Sequence, residues 1–292
     1  MEKYQSLDLN DYVQSGAGGT ALTYSSKDGK TLAKLFQKGY SAQTAEREFL
    51  IADAVYKAGI PSPRPIRLVT DGERFGGEYE LIVGKRSYAR IISEEPDKME
   101  PLSVKLAGLA LQLHNTPADS AVFPSMNEVV RPWVEKSERI PEDLRPRLLE
   151  ALDSIPSPRT CLHGDLHIGN IITDGKKDYW IDLGEFAYGA PEWDLSFIYF
   201  SGYFLDRKSC MWLYHLEPGQ LREHWNIFVN TYFSFRSPEE QKAYERSLFK
   251  FAALRTVAYF GKLNGGKGTP DPYMVQLVGQ LLDGAVPGVS EK

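Results

Sequence analysis

The chain has 292 residues, of which 42% are hydrophobic and 25% charged, a globular composition that excludes collagen-like, coiled-coil and disordered classes. Its 34 basic and 39 acidic residues leave a net charge of -5, so no broad cationic surface for nucleic acid is expected. The length suits about two units of roughly 150 residues each.

In chain order, Ser15-Gly16-Ala17-Gly18-Gly19-Thr20 reads as a glycine-rich turn before the β-prone run 21–25. Asp28-Gly29 signals a hairpin whose return strand, 30–36, carries Lys34 at its centre. The pattern predicts a helix over 41–58, stopped by Gly59, with Pro61, Pro63 and Pro65 preventing its continuation. Strands near 66–70 and 78–83 flank a turn at Asp71-Gly72, and Gly84-Lys85 reads as a hinge. From about residue 99 the pattern is helical, with Leu102, Leu106, Leu109 and Leu113 on one face and His114 at the end. Residues 127–155 are charged and helical, broken by Pro132, Pro141 and Pro146. A short β region at 160–182 precedes an aromatic-rich helical remainder. The expected class is α+β, with a small β-rich N-lobe over 1–86 and a larger α-rich C-lobe over 87–292. Cys161 and Cys210 are too few to brace such a chain, and no apolar leader follows Met1, so they read as reduced thiols in a cytoplasmic protein. The most apolar stretch, 195–205, falls short of the ~20 residues a bilayer requires, so no membrane partner is expected.

The chemistry concentrates at 163–182. The β-prone runs 170–173 and 179–182 are separated by a polar five-residue turn. Symmetric pairing opposes 173 with 179 and 170 with 182, which brings Asn170 and Asp182 together at the open end of an antiparallel hairpin. Asp165, five residues before Asn170 in a glycine-flanked loop, curls over the same place. Two carboxylates and a carboxamide suit a hard cation such as Mg²⁺. They are also what phosphoryl transfer uses, one Asp accepting a hydroxyl proton while an Asn and a second Asp hold Mg²⁺ against the phosphates. An alternative takes the alternating His163, Asp165 and His167 as ligands of a transition metal in a hydrolase, but leaves Asn170 and Asp182 unexplained.

His163-Gly164-Asp165 with Asn170, followed by Ile181-Asp182-Leu183-Gly184, resembles the catalytic and metal-binding loops of the protein-kinase-like superfamily. In the form Leu162-His163-Gly164-Asp165-Leu166-His167 with Gly169-Asn170, it is similar to the aminoglycoside phosphotransferase and choline kinase family. The resemblance implies a two-lobed protein-kinase-like fold, and a Mg²⁺-dependent enzyme that moves the γ-phosphate of ATP or GTP to a small-molecule hydroxyl. It implies Asp165 as the base, Asn170 and Asp182 as Mg²⁺ ligands, and His163 as a structural residue, with His167 packing the loop. It also implies a strand lysine, for which Lys34 fits, paired with a helical glutamate. Glu48 heads the inward stripe Ile51, Ala52, Val55 and Ala58, whereas Glu46 shares a face with Asp53 and Lys57. A buried carboxylate needs a partner, so Glu48 is assigned to Lys34. Gly16, Gly18, Gly19 and Thr20 stand where the superfamily places its phosphate-covering loop, although the spacing departs from G-x-G-x-x-G; their N–H groups are candidates to cradle phosphate. The segment 79–83 becomes the inter-lobe strand that meets the nucleotide base.

Ala190-Pro191-Glu192 begins only eight residues after Asp182, which leaves no room for a peptide-docking activation segment. Pro191-Glu192-Trp193-Asp194-Leu195 matches the Pro-x-x-Asp-Leu of the small-molecule kinases, implying that Asp194 supports the catalytic loop; no protein substrate is expected. Glu185, Glu192 and the aromatics between Trp193 and Phe235 are raw material for binding a cationic aminoglycoside or amino-alcohol, though most of those rings belong to the helix core. A nucleotide-binding pseudokinase without turnover is the remaining alternative, set against a complete group of Lys34, Glu48, Asp165, Asn170 and Asp182.

Overall fold

The computed structural model describes residues 3–235 and 237–285. The chain forms strands β1 (Gln5–Ser6), β2 (Tyr12–Ala17), β3 (Ala21–Ser26), β4 (Thr31–Phe36), β5 (Pro65–Thr70), β6 (Phe75–Glu80) and β7 (Arg86–Ser87). Further strands are β8 (Cys161–Leu162), β9 (Ile171–Thr173), β10 (Asp178–Trp180) and β11 (Ala187–Tyr188). The helices are α1 (Ala42–Lys57), α2 (Tyr88–Glu94), α3 (Met99–His114), α4 (Met126–Lys136), α5 (Arg145–Asp153) and α6 (Glu192–Tyr203). They continue as α7 (Arg207–Tyr214), α8 (Pro218–Phe233), α9 (Pro238–Ser247), α10 (Phe249–Lys262) and α11 (Pro272–Leu282). Two compact units result, Met1–Ser87 with Asn170–Glu185, and Tyr88–Gly169 with Phe186–Lys292. The first is thus assembled from two distant stretches of chain.

In the first unit the described strands form a mixed sheet in the order β1-β5-β6-β4-β3-β2, with β1 parallel to β5 and the other pairs antiparallel. Strand alternation sends Ala33 and Leu35 of β4 into a core with Leu7 and Val69, leaving Lys34 on the opposite face. Helix α1 starts where the Ser41 hydroxyl accepts from the Thr44 N–H (3.3 Å). It ends at Gly59, whose φ of +79° allows Ile60 N–H to reach back to Val55 O (3.3 Å). Ala45, Ile51, Ala52 and Val55 are its buried residues, whereas Ala58 is exposed just past its end.

Three expectations change here. The glycine-rich turn shrinks to 18–20, closed by Gly18 N–H on Ala21 O (2.9 Å), and Gly16 and Ala17 belong to β2. The sixth strand spans 75–80 rather than 78–83. Its two glycines hide it from propensity, but they let it approach β4: a Cβ on Gly76 would lie 1.9 Å from Lys34 O. Finally, β9 and β10 pair Thr173 with Asp178 and Ile171 with Trp180, one residue away from the symmetric register. The turn is Asp174–Lys177, with Asp174 Oδ1 accepting from the Lys176 and Lys177 N–H groups (2.8 Å each), so Asp178 joins the strand. Asn170 therefore sits beside Ile181, whose N–H donates to its carbonyl (3.1 Å), rather than opposite Asp182. Strand β7 pairs with β9.

The second unit is helical apart from the short antiparallel pair β8–β11. Helix α10 packs against α4, α5, α6 and α11, and α8 against α3 and α6. The core between them holds Trp193, Trp225, Phe228 and Leu254. Pro132 does not break the chain but lies inside α4, where buried Met126, Val130 and Val134 hold the helix in place. Among the described residues no helix is long and apolar enough to cross a membrane.

Candidate active site

The Lys34 ammonium lies between two carboxylates of the first unit, 2.8 Å from Glu48 Oε1 and 2.5 Å from Asp182 Oδ1. Its side chain and that of Glu48 are 18% and 17% exposed, whereas Asp182 is 54% exposed. Burial works to lower the Lys34 pKa, but the negative charges of Asp182 and Glu48 outweigh it and hold the group well above its ordinary value. Lys34 is therefore a fixed positive charge. The cluster depends on two backbone features. Asp182 has φ +58°, a left-handed conformation that turns its side chain out of the strand path. Two residues on, Gly184 leaves room for Glu48, since a Cβ there would lie 3.1 Å from Glu48 Oε2. Glu46 points elsewhere, to Lys3 (2.6 Å) and the Tyr4 hydroxyl (3.0 Å).

Tyr79, expected in a nucleotide-base strand, lies on β6 beside this cluster and packs on Phe49 with ring centroids 6.0 Å apart. Burial, then the Glu48 charge, push its hydroxyl above the ordinary value. In the β2–β3 turn, the Gln37 side chain donates to Gly18 O (3.2 Å) and Gly19 O (3.3 Å), and the Gln37 N–H to Thr20 O (2.9 Å). The turn is thereby tied down through its carbonyls. Gly18 and Gly19 are exposed, and nothing crowds a Cβ position at Gly19. For a hard divalent cation the first unit offers the buried Asn170 carboxamide and the Asp182 carboxylate, oxygen donors of the kind Mg²⁺ takes. The exposure of Asp182 leaves room for phosphate oxygens and waters, so these residues fit the group, with the Lys34 ammonium a competing charge on the Asp182 carboxylate.

The loop that carries Asp165 belongs to the second unit and is held from below. Asp194, fully buried in the first turn of α6, accepts from His163 N–H (2.7 Å) and Gly164 N–H (2.9 Å) and contacts His114 Nε2 (3.1 Å). Burial pushes the Asp194 carboxyl up, but the His114 bond and the charges of His114, His163 and Arg255 bring it below its ordinary value. His114 Nδ1 is within 2.8 Å of the Tyr232 hydroxyl. Gly164 has φ +80°, which lets the chain turn after the two bonds to Asp194, and Asp165 N–H then donates to His163 Nδ1 (3.3 Å). The Asp165 carboxylate, 36% exposed, has His167 Nε2 3.9 Å from Oδ2 and Arg255 Nη2 3.9 Å from Oδ1.

His163, Asp165 and His167 do not converge as metal ligands. His163 is buried with Nδ1 turned to the Asp165 N–H, and His167 Nδ1 accepts from the Gly169 N–H (2.9 Å). Among the described residues no group of three or more His, Cys, Asp or Glu is placed to hold a metal ion. The hydrolase alternative loses its geometric basis. Glu185 is exposed at the end of a 3-10 turn (Leu183–Glu185) in the first unit. Glu192 opens α6 in the second, where its charge helps to raise the Tyr232 and Tyr244 hydroxyls after burial has done most of that work. His114 and Arg255 were not among the sequence candidates. Each sits on a helix far along the chain from the loop it serves, and only its sequence position at an apolar helix face could have drawn attention to it.

The sequence matches the phosphotransferase enzyme family over residues 13–217, and the chain belongs to that family. No curated protein matches it. In fold it is similar to a choline/ethanolamine kinase family protein from Mesorhizobium loti, with TM-score 0.57 and 16% identity over 94% of this chain and 87% of that one. It is also similar to the aminoglycoside phosphotransferase APH(4)-Ia in a ternary complex with ADP and hygromycin B, with TM-score 0.60 and 12% identity over 95% of each chain. A third likeness is to amicoumacin kinase hAmiN in complex with AMP-PNP, Ca²⁺ and Ami, with TM-score 0.58 and 14% identity over 96% and 90%. The fold is thus the α+β, kinase-like one of these proteins, and the protein is a phosphotransferase.

Proposed function

We propose that this phosphotransferase is a Mg²⁺-dependent small-molecule kinase that moves the γ-phosphate of ATP or GTP to a hydroxyl of a cationic acceptor. The observation that carries the proposal is the Lys34 ammonium held between Glu48 and Asp182. A lysine fixed in this way, with its charge secured, is preorganised to bind the anionic oxygens of a nucleotide. Glu48 positions Lys34, and the N–H groups of Gly19 and Thr20, in the turn that the Gly18 N–H closes on Ala21 O, would meet the phosphates, with Gly16 allowing the strand that leads into the turn. Asn170 and Asp182 would hold Mg²⁺, which when bound would supply positive charge to neutralise the phosphate oxygens. Asp165 accepts the proton of the acceptor hydroxyl as its oxygen forms the new bond to the γ-phosphorus. The bond from that phosphorus to the bridging oxygen breaks, with its electron pair leaving on the nucleoside diphosphate. Asp165 then releases the proton to solvent, and the phosphate ester departs. His163 and Asp194 keep the loop in shape for that proton transfer.

A cationic acceptor is favoured by Glu192 beside an aromatic group in which Phe233 lies 4.6 Å from Tyr232, 5.3 Å from Phe235 and 4.4 Å from Tyr244 between ring centroids. Such faces attract ammonium groups by ~0.5–2 kcal/mol; Glu192 is half-buried, and Glu185 is an exposed carboxylate of the first unit. The fold relatives, named as a choline/ethanolamine kinase family protein and as a phosphotransferase complexed with hygromycin B, favour the same class. A cytoplasmic setting agrees with two buried free thiols, Cys161 and Cys210. The test is nucleoside diphosphate release with Mg²⁺ and ATP or GTP across aminoglycosides, amino-alcohols and sugars, with Asp165→Asn as the blank. Stimulation by one class, absent in the blank, is expected. Nucleotide binding without stimulated turnover by any class returns the pseudokinase reading, and failure to bind either nucleotide refutes the proposal.

A further inference from the structure

The turn 18–20 between β2 and β3 is fastened to the strand that carries Lys34. Gln37 directly follows β4, and its N–H donates to Thr20 O (2.9 Å), which carries the β3–β4 ladder one bond past the Ala21–Phe36 pair. Phe36 is buried with Ala21 and Ala45, so the root of the Gln37 side chain is anchored in the core of the first unit. From there the amide reaches back over the turn, and Nε2 donates to Gly18 O (3.2 Å) and to Gly19 O (3.3 Å). Two carbonyl acceptors can be served only by the NH₂ of the amide, which fixes its orientation and uses both of its protons.

The consequence lies on the other edge of the peptide planes. In a trans peptide the carbonyl oxygen and the following N–H point in opposite directions, and no cis bond occurs among the described residues. Gly18 O shares its plane with Gly19 N–H, and Gly19 O with Thr20 N–H. Holding both oxygens therefore aims both N–H groups away from Gln37. Neither has a hydrogen-bond partner among the described residues, whereas Gly18 N–H is closed on Ala21 O (2.9 Å). Gly19 does not have the left-handed backbone that favours glycine, and nothing lies within 4 Å of a Cβ placed on it. Neither backbone conformation nor packing within the chain calls for a glycine there, but close approach of a ligand to the backbone does.

We propose that Gln37 is a positioning residue for nucleotide binding: its side-chain amide holds the carbonyls of Gly18 and Gly19, and so presets the Gly19 and Thr20 N–H groups as a pair of donors to nucleotide phosphate. Gln37 acts through the turn and does not touch the nucleotide. The proposal rests on the reading of this turn as the phosphate-binding one, and the experiment separates the two. Dissociation constants for Mg²⁺·ATP and Mg²⁺·GTP are measured by titration calorimetry for the wild type, Gln37→Met and Gly19→Val. Thermal midpoints without nucleotide and ¹⁵N order parameters of the turn amides accompany them. Gln37→Met keeps an unbranched side chain and removes both donors. It should weaken binding of whichever nucleotide the wild type takes by about tenfold, or ~1.4 kcal/mol, the scale of two exposed neutral hydrogen bonds. The turn amides should drop from the order of a rigid backbone, S² about 0.85, to below ~0.6, with the thermal midpoint within about 3 °C of the wild type. Gly19→Val crowds the backbone that phosphate would approach and should weaken binding at least as much, again without a loss of stability.

Normal affinity in Gln37→Met, with affinity lost in Gly19→Val, overturns the positioning role and leaves the turn as the phosphate site. Weakened binding in Gln37→Met with turn amides as ordered as in the wild type also overturns it, because Gln37 then acts by another route. A loss that comes with a larger fall in thermal midpoint makes Gln37 a folding residue and overturns it as well. Normal affinity in Gly19→Val removes the phosphate-site reading of the turn, and the positioning role with it. Failure of the wild type to bind either nucleotide refutes the proposed function itself.

Discussion

Asp194→Asn isolates what holds the catalytic loop. The wild-type carboxylate serves three donors with two oxygens, Oδ2 taking His163 N–H and His114 Nε2 and Oδ1 taking Gly164 N–H. An amide keeps one oxygen and places an NH₂ against the donor that used the other. One charge-assisted bond, ~1.5–3 kcal/mol, is lost, and a buried N–H is left unsatisfied at ~1–3 kcal/mol. Removing a buried charge offsets part of this. We expect a net destabilisation of about 3 kcal/mol, or roughly 6–12 °C in thermal midpoint for a unit of this size. Turnover should fall too, because Gly164 and the adjoining Asp165 lose their anchor. The pH dependence is a second, independent readout. The folded protein keeps Asp194 ionised below the ordinary carboxylate range, so the unfolded chain binds the extra proton as the pH drops below ~4. Wild-type stability supplied by this carboxylate is present above that pH and is lost as the pH falls through the folded value. Denaturant unfolding of both proteins between pH 7 and pH 3 should therefore show their difference narrowing on acidification. A difference below ~1 kcal/mol at pH 7, or one that stays constant down to pH 3, refutes this account of the loop.

Gly76→Ala would place a Cβ 1.9 Å from Lys34 O and 2.9 Å from Leu35 Cα, forcing β4 and β6 apart. Loss of at least ~3 kcal/mol is expected, at the upper end of overpacking costs, and an unchanged melting curve counts against the register. Gly184→Ala is milder, since its Cβ meets Glu48 Oε2 at 3.1 Å and needs a shift of a few tenths of an ångström. It should leave the thermal midpoint nearly unchanged while lowering turnover about tenfold through the displaced Lys34–Glu48 pair; unaltered turnover argues against Glu48 as the positioning partner. Burial pushes the thiols of Cys161 and Cys210 up to about 11. Neither should react with Ellman's reagent in the native protein at pH 8 and both should after denaturation, so fast native labelling contradicts their burial.

The parts of this protein written in short-range chemistry are legible in the chain alone. Ser41 and Gly59 bound α1, the alternation of 31–36 places Lys34 opposite the buried Ala33 and Leu35, and the motif at 163–184 supplies the acids and the asparagine. Each depends on caps, periodicity or spacing within a few residues. The partner choices do not. Asn170 and Asp182 looked like directly opposed hairpin residues, but the Asp174 turn and its backbone bonds moved the register by one. The left-handed backbone at Asp182, rather than cross-strand pairing, accompanies its ion pair with Lys34. Strand β6 forms through two glycines that propensity counts against it, because the close approach to β4 excludes a side chain at Gly76. His114, 80 residues from the Asp194 it supports, and Arg255 beside Asp165 come from helices whose local patterns describe only packing faces. Sequence periodicity says which face of a helix is buried, whereas the charge it meets there is set by which other helices pack against it.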